Sequence, residues 1–160
     1  MVTQIIRQDE INKTTAVCFI ALGSNLQHPT KQLQQALQHL AELPHTSVRQ
    51  VSQFYSFKAV GPGNQPDYLN AVAELHTQLT PLALLHALQY IEQQQGRIRT
   101  VKWGPRTLDL DILLYGDVVL NTPQLTIPHP HMRERDFVLI PLREIAPELT
   151  ARLTANVLVP

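Results

Sequence analysis

Apolar positions along the chain follow two rhythms. Residues 16–22 form a short continuous apolar run, rich in β-branched and aromatic side chains and stopped by Gly23, which predicts a buried strand. Leu33, Ala36, Leu37, Leu40 and Ala41 recur at i, i+3, i+4, i+7 and i+8, which predicts a helix over 29–43 with one buried stripe. Pro29 suits its first turn, where a missing N–H costs nothing, and Pro44 stops it. Residues 47–56 look extended through Val48, Val51, Phe54 and Tyr55, and 57–67 read as a loop carrying Gly61, Pro62, Gly63, Asn64 and Pro66. Over 68–79, Tyr68, Asn70, Val72 and Glu74 alternate with Leu69, Ala71, Ala73 and Leu75, the period of a strand. Thr80-Pro81 opens a second helix with a hydroxyl cap and a first-turn proline; Leu82, Leu85, Leu88 and Ile91 are its expected buried face and Gly96 its left-handed cap. Residues 107–115 predict a strand, 126–135 a Pro/His-rich loop, and 137–149 a partly helical apolar segment whose start Pro141 limits.

The order β-α-β-β-α-β predicts an α+β fold of the ferredoxin-like kind: a sandwich of one antiparallel sheet with helices packed on it, plus a C-terminal helical addition. Residues 1–13 have no clear period and read as a polar N-terminal tail, leaving 14–160 as a single domain.

Composition narrows the function. Lys+Arg and Asp+Glu are 13 each, so the net charge is zero, which argues against wholesale capture of nucleic acid. Cys18 is the only cysteine, which excludes an intramolecular disulfide and any zinc site built on several thiolates. The apolar runs are too short to cross a bilayer, and residues 1–15 lack the apolar core of a secretory signal. The expectation is a soluble, cytoplasmic, monomeric protein that engages neither nucleic acid nor membrane.

The sharpest chemical feature is Leu108-Asp109-Leu110-Asp111-Ile112. On a strand both carboxylates share one face, about 6–7 Å apart along the chain. Like charges on a half-buried sheet repel, and a divalent cation between them removes that cost; hard oxygen donors favour magnesium over zinc. A solvent-facing strand with an acidic polar side is the alternative. Upstream, residues 93–106 hold four basic residues and no acid, with Gly96, Gly104 and Pro105 breaking any helix. A basic glycine-containing loop feeding paired carboxylates suits a polyphosphate–metal complex, because guanidinium groups grip phosphate oxygens in a bidentate way. Glu92 falls on the buried side of the second helix near its C-terminus, where the dipole disfavours an anion. It needs a partner there, unless the helix end frays. His129 and His131 stand two apart in a loop followed by Arg133 and Arg135 and suit a phosphate better than zinc. Tyr68 and Asn70 share a strand face and together could stack on and read a flat heterocycle. No G-x-x-x-x-G-K-[ST], protein-kinase signature or G-x-S-x-G is present.

The pieces 21–26 (ALGSNL), 65–70 (QPDYLN), Gly96-Arg97, Arg99, 103–111 (WGPRTLDLD), Pro128-His129 and Arg135-Asp136-Phe137, in that order, resemble the 6-hydroxymethyl-7,8-dihydropterin pyrophosphokinase family of folate biosynthesis over residues 15–149. The resemblance implies a ferredoxin-like core with mobile loops, two Mg²⁺ ions, and transfer of the β,γ-diphosphate of ATP to a pterin hydroxymethyl group with release of AMP. It implies Asp109 and Asp111 as metal ligands, Arg97 and Arg106 as the arginines that steady the phosphates, and Trp103 as a seal on the site. It also implies pterin contacts from Lys58, Val60, Tyr68, Asn70, Arg135 and Phe137, and ATP contacts from Gln89, Glu92, Arg99, Ile112, Thr126 and His129. Phe57-Lys58 stands where several relatives carry Thr-Pro, His129-Pro130 where some carry His-Tyr, and the arginine loop is one residue shorter than in some.

Two other classes fit less well. A ferredoxin-like nucleic-acid-binding module needs an RNP-type aromatic run and a basic surface, which this sequence lacks. A catalytically silent homologue needs damage to the aspartate pair or the arginines, all of which are intact.

Overall fold

A computed structural model describes residues 6–59, 61, 63–96 and 107–158. In chain order the elements are β1 (Ile11–Ser24), α1 (Pro29–Ala41), β2 (Thr46–Val51), β3 (Tyr55–Phe57), β4 (Tyr68–Leu79), α2 (Pro81–Gln94), β5 (Asp109–Tyr115), β6 (Leu120–Asn121), β7 (Thr126–Ile127), α3 (Asp136–Ile145) and α4 (Pro147–Leu158). The main sheet runs β2-β4-β1-β5, with β3 also on β4, and its pairings are antiparallel. This is the expected ferredoxin-like order, with β1 and β4 central.

Side-chain alternation along β1 builds a core on each face of the sheet. Cys18, Ile20 and Leu22 point to one side, where Leu33 and Leu40 of α1 and Leu84, Leu88 and Ile91 of α2 pack on them. Phe19 points to the other, among Val72, Leu113, Val138 and Leu142 of α3, and Leu153 of α4. Ile20, Leu22, Leu33, Leu84 and Leu88 are fully buried, so truncating any one to alanine costs about 2–5 kcal/mol.

The second helix starts as its sequence dictates: the Thr80 hydroxyl accepts the Ala83 N–H at 3.2 Å and Pro81 occupies the first turn. Gly96 adopts φ +84°, the left-handed cap, and its N–H reaches the Gln93 carbonyl at 3.0 Å. The buried face of α2, however, is Ala83, Leu84, Ala87, Leu88 and Ile91, while Leu82 is exposed and Leu85 only half-buried. Leu82 and Leu85 begin a stripe rotated by about one position from the one that docks. On α1 the outlier is Ala41, which is exposed.

The tail boundary expected at residue 13 is corrected: regular structure reaches back past it. Ile11 pairs with Leu79, the Thr80 N–H bonds the Glu10 carbonyl at 3.0 Å, and the Asn12 carboxamide donates to the Tyr115 hydroxyl at 3.1 Å. A register shift between Ile11 and Ala16 lifts the polar residues 13–15 outward, which erases the apolar alternation that would have revealed the strand.

The extended run over 47–56 is two strands. Ser52 is buried between them; its N–H bonds the Val72 carbonyl at 2.9 Å and its hydroxyl accepts the Val72 N–H at 3.0 Å, so a side chain replaces the backbone partner and the edge bends. Pro141 does not limit the start of α3, because the helix begins at Asp136 and Pro141 lies inside it, buried. The proline deletes only the one N–H that would have bonded the Phe137 carbonyl. Residues 126–127, expected within a loop, pair with β6, and α4 continues the helical segment beyond 149.

Candidate active site

The face of the sheet that carries α3 and α4 is not covered to its end. Where α3 begins, a cavity of about 390 Å³ opens over the ends of β1, β4 and β5, with β3, the 129–131 loop and the first turn of α3 as walls. Its floor follows from register. Gly23 of β1 pairs with Asn70 of β4 on one side and Asp109 of β5 on the other; two residues along, Ala21 pairs with Val72 and Asp111. The central strand therefore presents a glycine between Asn70 and Asp109 and an alanine between Val72 and Asp111. Asn70 and Asp109 stand about 10 Å apart, two strand spacings, across an open middle. A Cβ on Gly23 would come within 2.9 Å of the Asn70 carboxamide nitrogen, so the glycine is what lets that side chain lie across the floor.

Asp109 and Asp111 share the cavity face, as the alternation predicts, while Leu108, Leu110 and Ile112 enter the core beneath. The intervening residue is fixed from behind: the Leu110 N–H donates to the Glu92 carboxylate at 2.8 Å. Glu92 is buried rather than frayed. Tyr68 and Asn70 line the opposite wall, and Asn70 is buried with its carboxamide oxygen unpartnered among the described residues. A buried acceptor of that kind calls for a donor from a ligand or water.

Phe137 closes the slot from α3. The edge of Phe57 packs against it with centroids 6.4 Å apart at 65°, and the Arg135 guanidinium lies 5.4 Å from its centroid in a cation–π contact. Lys58, exposed, lines the rim. His129, Pro130 and His131 form the wall nearest the aspartates. Burial is the main force that lowers the His129 pKa to about 4, with Arg135 and His131 adding to it and Asp109 opposing. The imidazole is therefore neutral near pH 7. Its Nδ1 accepts the His131 N–H at 3.2 Å, which leaves the proton on Nε2 as a donor.

The structure thus brings Lys58, Tyr68, Asn70, Asp109, Asp111, His129, Arg135 and Phe137 around one cavity. Glu92 stands behind β5. Gln89 is exposed on α2, Ile112 is buried in the core, and Thr126 is half-buried on β7; none of the three lines the cavity. Val60, Arg97, Arg99, Trp103 and Arg106 lie outside the described residues. Sequence reasoning gives Gly23 only the end of the first strand and finds no site role for Gly23, Ala21 or Asn25. The buried Asn25 carboxamide donates to the Gln65 side chain at 3.2 Å and the Pro66 carbonyl at 3.1 Å, pinning the loop that delivers Tyr68. The signal available was a polar residue directly after a buried strand.

Comparison with known proteins bears on this arrangement. A model of the 7,8-dihydro-6-hydroxymethylpterin-pyrophosphokinase family matches residues 19–147, which include every cavity residue. The 2-amino-4-hydroxy-6-hydroxymethyldihydropteridine pyrophosphokinases of Haemophilus influenzae and Pseudomonas aeruginosa are each 53% identical over 131 residues. The match covers 82% of this chain in both cases, and 82% and 81% of those proteins. That of Bacillus subtilis is 43% identical over 139 residues, or 87% of this chain and 83% of the relative. The crystal structure of an HPPK-DHPS in complex with substrates superimposes with a TM-score of 0.63 at 14% identity, over 83% of this chain and 42% of that one, a likeness of fold. With the family model spanning the whole cavity and the relatives this similar, the chain belongs to the 7,8-dihydro-6-hydroxymethylpterin-pyrophosphokinase family.

Proposed function

We propose that the cavity binds 6-hydroxymethyl-7,8-dihydropterin and ATP side by side and transfers the β,γ-diphosphate of ATP to the pterin hydroxymethyl oxygen, releasing AMP, as a step of folate biosynthesis. The observation that carries this reading is the row Asn70–Gly23–Asp109, which sets a carboxamide and a carboxylate at opposite ends of one open floor.

The pterin ring lies between Tyr68 and Phe137, whose faces supply stacking area with little loss of side-chain freedom. The unpartnered Asn70 oxygen takes a donor from the polar edge of the heterocycle. Lys58 contributes from the rim after β3 and Arg135 stands beside the slot, with Val60 the remaining pterin contact of this reading. ATP lies toward β5, where the neutral His129 donates through Nε2; Gln89, Glu92, Ile112 and Thr126, which do not line the cavity, are the remaining ATP contacts of this reading. Ile112, with its side chain in the core, serves through its backbone.

Asp109 and Asp111 fit magnesium: two hard oxygen donors on one face, opening into the same cavity, would hold the ion beside a bound triphosphate. Magnesium held there, two ions in this reading, would supply the positive charge that offsets the triphosphate as the diphosphate transfers. Transfer of this kind depends on alignment and charge stabilisation rather than covalent help. Arg97, Arg99 and Arg106, in the sequence between α2 and β5, supply positive charge in this reading, and Trp103 excludes water that would otherwise take the diphosphate. No helix among the described residues is long and apolar enough to cross a membrane; a cytoplasmic location and a monomeric state belong to the same proposal.

AMP release from ATP tests the reading. Formation of AMP that requires both the hydroxymethyl pterin and Mg²⁺ supports it; ATP breakdown independent of the pterin, or none with both present, overturns it.

A further inference from the structure

Glu144 lies on α3 seven residues, or two turns, after Phe137, so both side chains project from the same side of the helix. Both meet β3. The Glu144 carboxylate accepts the Gln53 N–H at 3.0 and 3.2 Å through its two oxygens, and the Tyr55 hydroxyl at 2.5 Å. One turn-pair earlier, Phe137 meets the edge of Phe57. The Tyr55 and Phe57 rings lie beside each other, tilted by 41° with centroids 6.4 Å apart, and their residues pair directly across the ladder with Asn70 and Tyr68. The wall of the cavity is thus a strand held at two points by one helix, and it lies opposite the two β4 residues that face the pterin.

From this we infer that Glu144 is a positioning residue for pterin recognition: by fixing Gln53 and Tyr55 it sets where β3 sits against α3, and so the width of the slot between Tyr68 and Phe137. Three features favour this over a general stabilising role. Glu144 is exposed, and exposed polar contacts contribute little to stability. It is itself the charged acceptor of these bonds, which makes them short and directional. Both of its partners lie in the four-residue approach to Phe57, downstream of the Ser52 bend, where β3 has a ladder of just three pairs with β4. The Tyr55 phenol, pushed up chiefly by its bond to Glu144, accords with a lasting contact.

The inference rests on the pterin lying between Tyr68 and Phe137, and the test separates the two. Steady-state KM for pterin and for ATP is measured for Glu144→Ala, Glu144→Gln, Tyr55→Phe and Phe137→Ala, with a thermal melt of each. Expected is a rise in the pterin KM of about tenfold for Glu144→Ala, with the ATP KM within about twofold of the parent, as befits a lost ground-state alignment. Glu144→Gln, which keeps an acceptor, recovers most of the loss, and Tyr55→Phe shows part of it. A pterin KM unchanged in Glu144→Ala, or a loss shared equally by ATP, overturns the inference. If Glu144→Ala fails to fold, Tyr55→Phe decides by the same criteria. If Phe137→Ala also leaves the pterin KM unchanged, the placement of the pterin itself has failed; a response in Phe137→Ala alone confines the failure to Glu144.

Discussion

The Glu92 carboxylate, buried on the last turns of α2, accepts the backbone N–H of Leu110 at 2.8 Å. Leu110 sits between Asp109 and Asp111 on β5, which occupies the edge of the sheet and has β1 on one side only. A helix side chain therefore takes the place of a missing strand and holds the segment bearing the two acids.

Removing that acceptor leaves the amide buried and unbonded. Glu92→Ala is expected to destabilise the fold by about 2–3 kcal/mol, the cost of an orphaned buried donor bonded to a charge. Glu92→Gln, which retains an acceptor oxygen, should lose less. Urea unfolding of the two variants measures the difference; equal stability of Glu92→Ala and the parent would show that the bond carries no weight.

The same pair of residues marks how far the sequence could be read. Strong periodicity located β1, α1, β4, α2 and β5 and their order, and the alternation of Asp109 and Asp111 against Leu108, Leu110 and Ile112 placed both acids on one face. Glu92 could be recognised as misplaced on a buried face, but not paired: its partner is a backbone amide 18 residues away, and backbone groups leave no mark in composition. Ser52 hid for a related reason, since its hydroxyl substitutes for a ladder bond in the middle of an extended run. Residues 11–13 escaped because an outward bulge carries polar residues, and Pro141 misled because a single missing N–H inside a well-buried helix costs less than the burial returns.

Gly23 makes a sharper test of the floor. Its backbone needs no special conformation, but an added Cβ would stand 2.9 Å from the Asn70 amide nitrogen and 3.8 Å from the Tyr68 ring. The Asn70 side chain would have to swing aside, which is cheap for the fold and costly for a buried hydrogen bond to the pterin. Gly23→Ala is expected to leave thermal stability within about 1 kcal/mol and to weaken pterin binding by about 10-fold or more, the worth of one hydrogen bond in a desolvated site. Calorimetric titration with the pterin reads it; unchanged affinity would place the heterocycle elsewhere.

His129 sets a pH signature. Its pKa is about 4 in the folded chain against an ordinary 6.5. Between these values the unfolded chain binds a proton that the native imidazole rejects, so stability falls as pH drops from about 6.5 toward 4 and gains nothing further from this group above that window. In protein free of divalent cation, NMR of the His129 ring should show a titration midpoint well below 6, and His129→Gln should flatten the acid limb of the stability curve. A midpoint near 6.5 would mean that the ring is solvated.

The central claim is that Asp109 and Asp111 act together on the triphosphate. The most direct measurement is single-turnover AMP formation by Asp109→Asn and Asp111→Asn at saturating pterin, ATP and Mg²⁺, with folding checked by the thermal melt. Each change keeps the side-chain shape and removes one charge. A loss of at least about 10²–10³ in rate for each, with the pterin still bound, is the expected result; turnover near that of the parent by either variant would contradict it.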